Sequence, residues 1–182
     1  MTSTGTQRSL PLGKVYRLIE PGPVVLMTTV RAGRPNVMPM SWHTMLEFEP
    51  PLIGCVISDR NFSHATLKAT RQCVLAIPTA ELARQVVRCG NCSGRDTDKF
   101  ALTGLSALAA KTVRAPWIAE CYANLECRVA DTRSLARYGM FVLEVQQAWV
   151  DPACKHPRTL HHRGYGSFMV AGETIRLPSR VA

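Results

Sequence analysis

The 182-residue sequence has no apolar run near the ~18 residues that a membrane-spanning helix needs. Residues 1–13 are polar and lack the apolar segment of a secretion signal. There is no glycine-rich dinucleotide or P-loop fingerprint, and no serine–histidine–aspartate arrangement can be identified. There is also no internal repeat and no low-complexity segment. These absences argue against a membrane protein and against several common enzyme classes, so we expect a cytoplasmic protein with no membrane partner.

Acidic residues are few. The chain has 22 Lys and Arg against 13 Asp and Glu, which gives a net charge of +9. The basic residues are scattered from Arg8 to Arg180 without a cluster, whereas a nucleic-acid-binding protein usually concentrates them on one face. We therefore expect no nucleic-acid partner. The charge is consistent with attraction of small phosphorylated anions, and equally with dispersed surface charge of no function.

Seven cysteines form an odd set, and without a secretion signal they indicate reduced thiols rather than disulfides. Four of them lie in apolar or alternating segments, where they pack as small hydrophobic residues: Cys55, Cys73, Cys121 and Cys127. Cys89 and Cys92 have Cys-x-x-Cys spacing, but no second such motif completes a zinc site, and His156 and His161 are distant in sequence. A turn with two free thiols is the favoured interpretation, and a redox dithiol is the alternative. We predict no metal.

The pattern of apolar residues predicts a chain rich in strands. The predicted strands are residues 24–30, 36–41, 52–57, 72–77, 121–131 and 139–150, with a last hairpin that pairs 168–170 with 174–176. The predicted helices are residues 14–18, 61–69, a segment from Thr79 to Gly90, and one turn over 97–101. Ala32 and Gly33 lie in a predicted hairpin loop, and residues 104–117 are expected to be mostly connection. Short antiparallel strands with interposed helices suggest one domain over residues 1–182, a closed or partly closed β-barrel with helices outside.

Two segments have the composition of the two ends of a nucleotide-like ligand site. Ser58, Asp59 and Asn61 can cap a helix whose N-terminus, with Arg60, Ser63 and Thr66, could hold a phosphate. Residues 37–42 carry no charged side chain, which suits contact with an uncharged ring, and Pro39 marks an edge or irregular strand. Each segment also has a plain structural explanation, a capped helix and a core strand.

Taken in order, the segments resemble the flavin reductase-like, FMN-binding split-barrel family, including its flavoredoxin-like members. The resemblance is carried by residues 36–42, 48–52, 58–61, 93–100, 115–121, 124–127 and 161–164. It implies a mainly β fold, a Greek-key split β-barrel with peripheral helices, that forms a homodimer with FMN partly in the subunit interface.

The resemblance also implies the residues of an FMN site. The isoalloxazine ring would be flanked by Asn36, Val37, Met38, Pro39, Met40, Ser41, Trp42, Cys55 and Val56. The phosphate would be held by Arg60, Asn61, Ser63 and Thr66, and a loop with Ser93, Gly94, Lys99 and Phe100 would close over the flavin. The nicotinamide side would lie near His162, Gly164 and Tyr165. No residue is nominated as catalytic, and the role of His43 is open.

The activity that follows is NAD(P)H-dependent reduction of flavin or of a downstream acceptor, such as a ferric complex, oxygen or a partner protein. NAD(P)H is then a co-substrate, and an electron-transfer protein or a monooxygenase is a candidate partner. The alternative is a flavoredoxin-type electron carrier without NAD(P)H activity of its own.

Overall fold

The computed structural model describes residues 7–178, so part of the polar segment 1–13 lies outside the described residues. The strands are β1 Arg8–Leu10, β2 Val25–Arg31, β3 Arg34–Met40, β4 His43–Glu47, β5 Leu52–Val56, β6 Gln72–Ile77, β7 Ala107–Leu108, β8 Trp117–Ile118, β9 Ala123–Asp131, β10 Met140–Val150, β11 Leu160–Gly164 and β12 Ser167–Val170. The α-helices are α1 Tyr16–Ile19, α2 Phe62–Thr70, α3 Ala83–Gly90, α4 Lys99–Thr103 and α5 Leu135–Tyr138, with 3-10 turns at Leu12–Lys14 and Ala80–Leu82. The prediction of a mainly β protein is confirmed.

One antiparallel sheet holds eight of the strands, in the order β3-β2-β6-β9-β10-β5-β4, with β1 also paired to β10. Two short pairs, β7 with β8 and β11 with β12, lie outside it. Within residues 7–178 no pairing joins β3 to β4, so backbone hydrogen bonds do not close the sheet into a ring. Both of its edges are therefore available to border a site.

The long strands have the bounds that the apolar pattern predicts, within two residues at each end. The loop between β2 and β3 is the predicted hairpin, with positive φ at both Ala32 and Gly33. Strands β2 and β6 are mostly apolar and are buried on both faces. Met27 and Leu75 face the main core, whereas Leu26 and Ala76 face a second apolar cluster beneath α3 and α4.

Strand β9 alternates between apolar and polar side chains, and two of the polar ones, Asn124 and Glu126, are also buried, whereas Arg128 is exposed. Asn124 exchanges hydrogen bonds with the backbone of Ile118, and the Glu126 carboxylate accepts from the indole N–H groups of Trp117 and Trp149 at 2.9 and 2.8 Å. The amide of Lys111 donates to the same carboxylate at 3.0 Å. The segment expected to be mere connection is therefore fastened across the sheet by this one carboxylate.

The predicted last hairpin is wrong. Strand β12 pairs with β11, around a turn in which Gly164, Tyr165 and Gly166 all have positive φ. Leu160 is buried against the second cluster and Phe168 packs beside it, whereas Ile175 and Leu177 are exposed. Pairing of β12 with residues 174–176 would bury little apolar surface, so β12 pairs with the preceding strand β11 instead.

No helix in the described residues is both long enough and apolar enough to cross a membrane.

Candidate functional site

The largest concavity in the described residues is a groove of about 960 Å³, between the end of β3, the end of β5, helix α2 and the segment before β10. We call it the groove. Its volume is at the upper end of the ~300–1,000 Å³ typical of small-molecule sites. It is lined by Met38, Pro39, Met40, Ser41, Trp42, Val56, Ile57, Ser58, Asp59, Asn61, His64, Lys68, Thr132, Leu135, Ala136, Tyr138 and Gly139.

One wall of the groove is the uncharged end of β3. This strand is an edge of the sheet, as Pro39 predicted, so its outer backbone groups have no strand partner in the described part of the chain. Trp42 follows it and is 72% exposed. The wall can thus offer apolar contact and free backbone groups to a flat ligand.

The opposite wall comes from helix α2 and the residue before it, where Asn61 is a predicted FMN residue but His64 and Lys68 are not. Asn61, His64 and Lys68 line the groove at the three- and four-residue spacing of one helix face. Asn61 is the residue before the helix, but its side chain makes no capping hydrogen bond. The His64 ring meets Phe141 edge to face at 5.3 Å, which holds the imidazole against the core.

The floor near α5 depends on a glycine. Gly139 ends α5 with φ +65°, and its carbonyl accepts from the amide of Ile57 at 2.9 Å. A Cβ at residue 139 would lie 2.9 Å from the Ile57 carbonyl oxygen. The helix end can therefore close on β5 only because this position has no side chain.

A second concavity of about 260 Å³ adjoins the groove, and Met38 and Asn61 line both. We call it the polar pocket. Three cationic side chains line it, those of Arg60, Arg95 and Lys99, together with Asn36, Ser63 and residues 90–94. A guanidinium N–H of Arg95 donates to the Arg60 carbonyl at 3.3 Å. This concentration of positive charge is suited to an anion.

Lys99 is the buried cation of the polar pocket, 5% exposed. Its ammonium donates to the Cys89 carbonyl at 2.7 Å, and no carboxylate among the described residues forms a salt bridge with it. Burial lowers the pKa of Lys99, and the neighbouring thiols of Cys92 and Cys89 act in the opposite direction. An anion in the pocket would supply the missing counter-charge.

Asn36 and Ser63 join the strand to the helix at the base of the polar pocket. The Asn36 amide donates to the Ser63 hydroxyl at 2.9 Å, and both side chains are buried. The Asn36 side-chain carbonyl oxygen has no hydrogen-bond partner among the described residues and faces Gly94. A Cβ at residue 94 would clash with that oxygen, so the loop can cover Asn36 only with glycine there.

Comparison with known protein families identifies the family of this chain. The model of the flavin reductase like domain family matches residues 16–169, which is most of the chain. The chain belongs to the flavin reductase like domain family. The family prediction made from the ordered motifs is confirmed.

Relatives and solved structures agree. An uncharacterized protein of Archaeoglobus fulgidus is 37% identical over 112 residues, a match that spans 62% of this chain and 63% of that protein. The FMN-binding domain of a flavin reductases-like enzyme from Shewanella baltica superposes with a TM-score of 0.88 at 27% identity, covering 96% of this chain and 98% of that one. Flavoredoxin of Desulfovibrio vulgaris (Miyazaki F) has the same fold, with a TM-score of 0.80 at 22% identity over 88% and 92% of the two chains.

For this flavin reductase like chain, the structure brings most of the predicted FMN residues to the groove and the polar pocket. The groove takes Met38, Pro39, Met40, Ser41, Trp42, Val56 and Asn61. The polar pocket takes Asn36, Arg60, Ser63, Ser93, Gly94 and Lys99, and shares Met38 and Asn61 with the groove. The two predicted ends of the ligand site are therefore adjacent in space.

Four predicted residues lie elsewhere. The side chains of Val37 and Phe100 are buried in the second apolar cluster, and Cys55 is buried in the main core. Because side chains alternate along a strand, Val56 faces the groove and Cys55 faces away from it. Thr66 is buried and lines a separate cavity of about 320 Å³ behind Asn36.

The predicted nicotinamide residues divide in the same way. His162 lines a smaller pocket of about 240 Å³, which borders the groove by sharing Pro39, Met40 and Ser41 with it. Gly166 and Phe168 complete that wall, and the His162 ring packs on Phe168 at 5.4 Å. Gly164 and Tyr165 do not line it, and Tyr165 is fully exposed at the hairpin turn.

His43 has a structural environment. Its Nε2 lies 2.6 Å from the Pro23 carbonyl, while Nδ1 is buried and has no hydrogen-bond partner within residues 7–178. Burial lowers the pKa of His43, and the hydrogen bond to Pro23 opposes that shift. The neutral ring fastens β4 to the segment before β2.

The remaining chemistry-bearing side chains form no metal site in the part of the chain that the structure describes, where no three His, Cys, Asp or Glu side chains cluster. Cys55, Cys73 and Cys127 are free buried thiols in the main core. Burial raises the pKa of Cys55 and of Cys127 well above the ordinary thiol value. The Cys55 and Cys127 thiols are therefore protonated, and all three cysteine side chains act as small apolar residues.

Proposed function

We propose that the chain binds FMN, with the isoalloxazine ring in the groove and the phosphate in the polar pocket. One observation supports this most directly: an uncharged strand edge and a pocket with three cations adjoin through Met38 and Asn61. A flavin mononucleotide has the matching division, a flat heterocycle at one end and a dianionic phosphate at the other.

The residues present fit the phosphate. Arg60 lies at the start of α2 and can offer a two-pronged contact, and Lys99 is a buried ammonium without a carboxylate partner in the described residues. The N-terminus of α2, a nine-residue helix, adds unpaired backbone N–H groups. Charge-assisted hydrogen bonds of this kind contribute about 1.5–3 kcal/mol each.

The residues present also fit the ring. Met38, Met40 and Val56 provide apolar contact, and the free edge of β3 leaves backbone groups for the polar pyrimidine edge. Ser41 adds a hydroxyl. Bound FMN would supply the redox chemistry, because it can accept a hydride and pass the electrons on to an acceptor. The chain's own residues bind and orient, and hydride transfer depends on that alignment rather than on a proton relay.

We place NAD(P)H, as co-substrate, on the side of the smaller pocket. Its support is the border that this pocket shares with the groove at residues 39–41, where His162 offers an aromatic face and a ring N–H. The activity is then oxidation of NAD(P)H with delivery of electrons to a second flavin, a ferric complex, oxygen or a partner protein. The cytoplasm is the compartment we propose.

We further propose a homodimer of split barrels, in which a second copy covers strand β4. Trp42, Leu46 and Phe48 are exposed on or beside this edge strand, next to the open side of the groove. Exposed apolar residues in a group favour association. Sedimentation analysis should show a dimer, and Leu46→Lys should shift it toward monomer. An unshifted dimer would assign the interface to another face.

The absorption spectrum tests the proposed function. The purified chain, mixed with FMN and filtered, should retain a flavin spectrum, and NADH or NADPH should bleach it in the absence of air. A protein that retains no flavin would contradict the site. Retained flavin that bleaches only with an added reductase would favour the electron carrier over the NAD(P)H oxidoreductase.

A further inference from the structure

Two thiols that the proposed function does not use, those of Cys89 and Cys92, lie at the C-terminal end of α3. The helical turn continues past its last residue, because the Asn91 amide donates to the Val87 carbonyl at 3.0 Å and Asn91 has φ −82° and ψ −2°. Helical residues three apart have Cα atoms about 5 Å apart. That spacing lies within the ~4.4–6.8 Å range of disulfide-bonded cysteines.

The two thiols differ in access. Cys89 is fully buried in the second apolar cluster, whereas Cys92 is half-buried and lines the polar pocket. The Cys92 thiol donates to the Arg88 carbonyl at 3.3 Å. A small reagent from solvent therefore meets Cys92 first.

The charges around the pair favour reaction at Cys92. Arg60, Arg95 and Lys99 line the same pocket as this thiol, and their positive charges stabilise the hydroxide that leaves when a thiol attacks peroxide there. Burial raises the pKa of Cys89, and the Lys99 ammonium only partly offsets that shift, so Cys89 stays protonated until a partner sulfur is presented.

We propose that Cys92 and Cys89 form a peroxide-oxidised dithiol, in which Cys92 is the attacking thiol and Cys89 the resolving thiol. The Cys92 thiolate attacks one oxygen of hydrogen peroxide. An S–O bond forms, the O–O bond breaks, and the departing hydroxide takes up a proton to become water. The Cys89 sulfur then attacks the Cys92 sulfur. The S–S bond forms, the S–O bond breaks, and the proton of Cys89 leaves with the hydroxide as a second water. Two thiols lose two electrons, and one peroxide is reduced.

The chain contains an internal control. Cys154 is also a half-buried free thiol, in a turn far from the polar pocket in sequence. Burial raises the pKa of Cys154, and the carboxylates of Asp151 and Glu81 raise it further. It therefore has similar access and the opposite charge environment. Cys92 should therefore react with peroxide several-fold faster than Cys154, because cations rather than carboxylates surround the reacting sulfur.

Peptide mass spectrometry tests the pair without any flavin readout. The reduced full chain is treated with graded hydrogen peroxide, alkylated with iodoacetamide and digested with trypsin. Cleavage after Arg88 and Arg95 releases residues 89–95 with both thiols, and residues 138–155 carry Cys154. We expect the 89–95 peptide to pass from doubly alkylated to unalkylated and lighter by two hydrogen atoms, while Cys154 remains alkylated.

Two single variants distinguish the attacking thiol from the resolving thiol. In Cys89→Ser, Cys92 should accumulate as the sulfenic acid, which dimedone labels, and in Cys92→Ser, Cys89 should stay reduced at the same peroxide concentration. The proposal would be overturned if Cys89 and Cys92 were both still alkylated at a peroxide concentration that already oxidises Cys154. Oxidation of Cys89 in the Cys92→Ser variant would also overturn it. Because the mass readout needs no FMN, its failure is distinguishable from failure of the proposed function.

Discussion

The Asn36 amide donates a 2.9 Å hydrogen bond to the Ser63 hydroxyl, and this contact joins the edge strand β3 to the first turn of α2. Both side chains line the polar pocket, the proposed phosphate site, and Asn36 lies on the same strand as Met38, which also lines the groove proposed for the ring. The contact is covered by the loop at Gly94, so the two ends of the site and the loop above them form one packed unit. Substitution of Asn36, Ser63 or Gly94 should therefore change the FMN affinity.

Gly94→Ala tests that unit. The added Cβ would meet the Asn36 side chain and lie 2.9 Å from a ring carbon of Phe62, so the loop has to move. We expect a loss of about 1–3 kcal/mol in unfolding free energy, typical of overpacking, with a clearly weaker FMN affinity. Gly172→Ala is the matched control, because nothing lies within 4 Å of its Cβ position and its φ is not positive. Denaturant unfolding measures the stability of both variants, and flavin fluorescence titration measures their FMN affinity. Equal stability and equal affinity of the two variants would contradict the packing role of Gly94.

Arg60→Ala tests the phosphate assignment. We expect FMN affinity to fall roughly tenfold or more, because a charge-assisted contact to the phosphate is lost. The unfolding free energy should be nearly unchanged, because Arg60 is exposed in the described structure. Arg84→Ala, an exposed position on α3, is the control for lost positive charge. Riboflavin, which has no phosphate, should bind wild type and Arg60→Ala alike. A tenfold loss for riboflavin as well would place Arg60 at the ring instead.

Much of this architecture follows from local sequence rules. β-Branched runs predict β2 and β6, proline predicts the edge character of β3, and alanine with glycine predicts the β2–β3 turn. The division between Cys55 and Val56 also follows from strand alternation, since only one of two neighbours can face a groove. Side-chain contact with a ring in the groove is therefore expected of Val56, whereas the Cys55 side chain lies in the core.

Other features depend on contacts between distant segments. Lys68 and Tyr138 line the groove because the fold places α2 and α5 along its borders, and no local pattern indicates that placement. Strand β4 is short and exposed on its outer side, so its apolar residues do not alternate clearly. Glu126 is buried because residues 105–118 cross the sheet. The position of the last hairpin depends on Leu160, which packs into the second apolar cluster. These were set by tertiary packing rather than by propensity.

Lys99 gives the site a predicted pH dependence. Burial lowers the pKa of Lys99 in the free protein, so its ammonium is lost at a lower pH than an ordinary lysine would lose it. FMN affinity should therefore decline as the pH rises through that lowered pKa, still below the ordinary value of 10.5. Lys99→Arg keeps the charge and should remove the decline, while Lys99→Met should show weak binding at every pH. An identical pH profile for wild type and Lys99→Arg would assign the dependence to another group.

Glu126 should matter for stability rather than for flavin binding. Burial raises the pKa of this carboxyl, but the hydrogen bonds from Thr112, Lys111 and Trp149 outweigh it, and the net pKa is lowered. The carboxylate thus stabilises the fold above the ordinary glutamate pKa, and this contribution is lost as pH falls through the lowered value. Glu126→Gln should cost about 1–3 kcal/mol at neutral pH, and the difference should shrink in acid. Glu144→Gln, on the adjacent strand β10, is the control. A pH-independent difference would contradict the role of the charge.

FMN should protect Cys92 from chemical modification. If the phosphate occupies the polar pocket, it lies against the wall that carries this thiol and blocks the approach of a reagent. Ellman's reagent should therefore modify Cys92 several-fold more slowly with FMN than without it, and riboflavin should protect less because it leaves the pocket open. Cys154, remote from the pocket, should react at the same rate in all three samples. Protection of Cys92 by riboflavin equal to that by FMN would show that the thiol is shielded by the ring, and would move the phosphate out of the polar pocket.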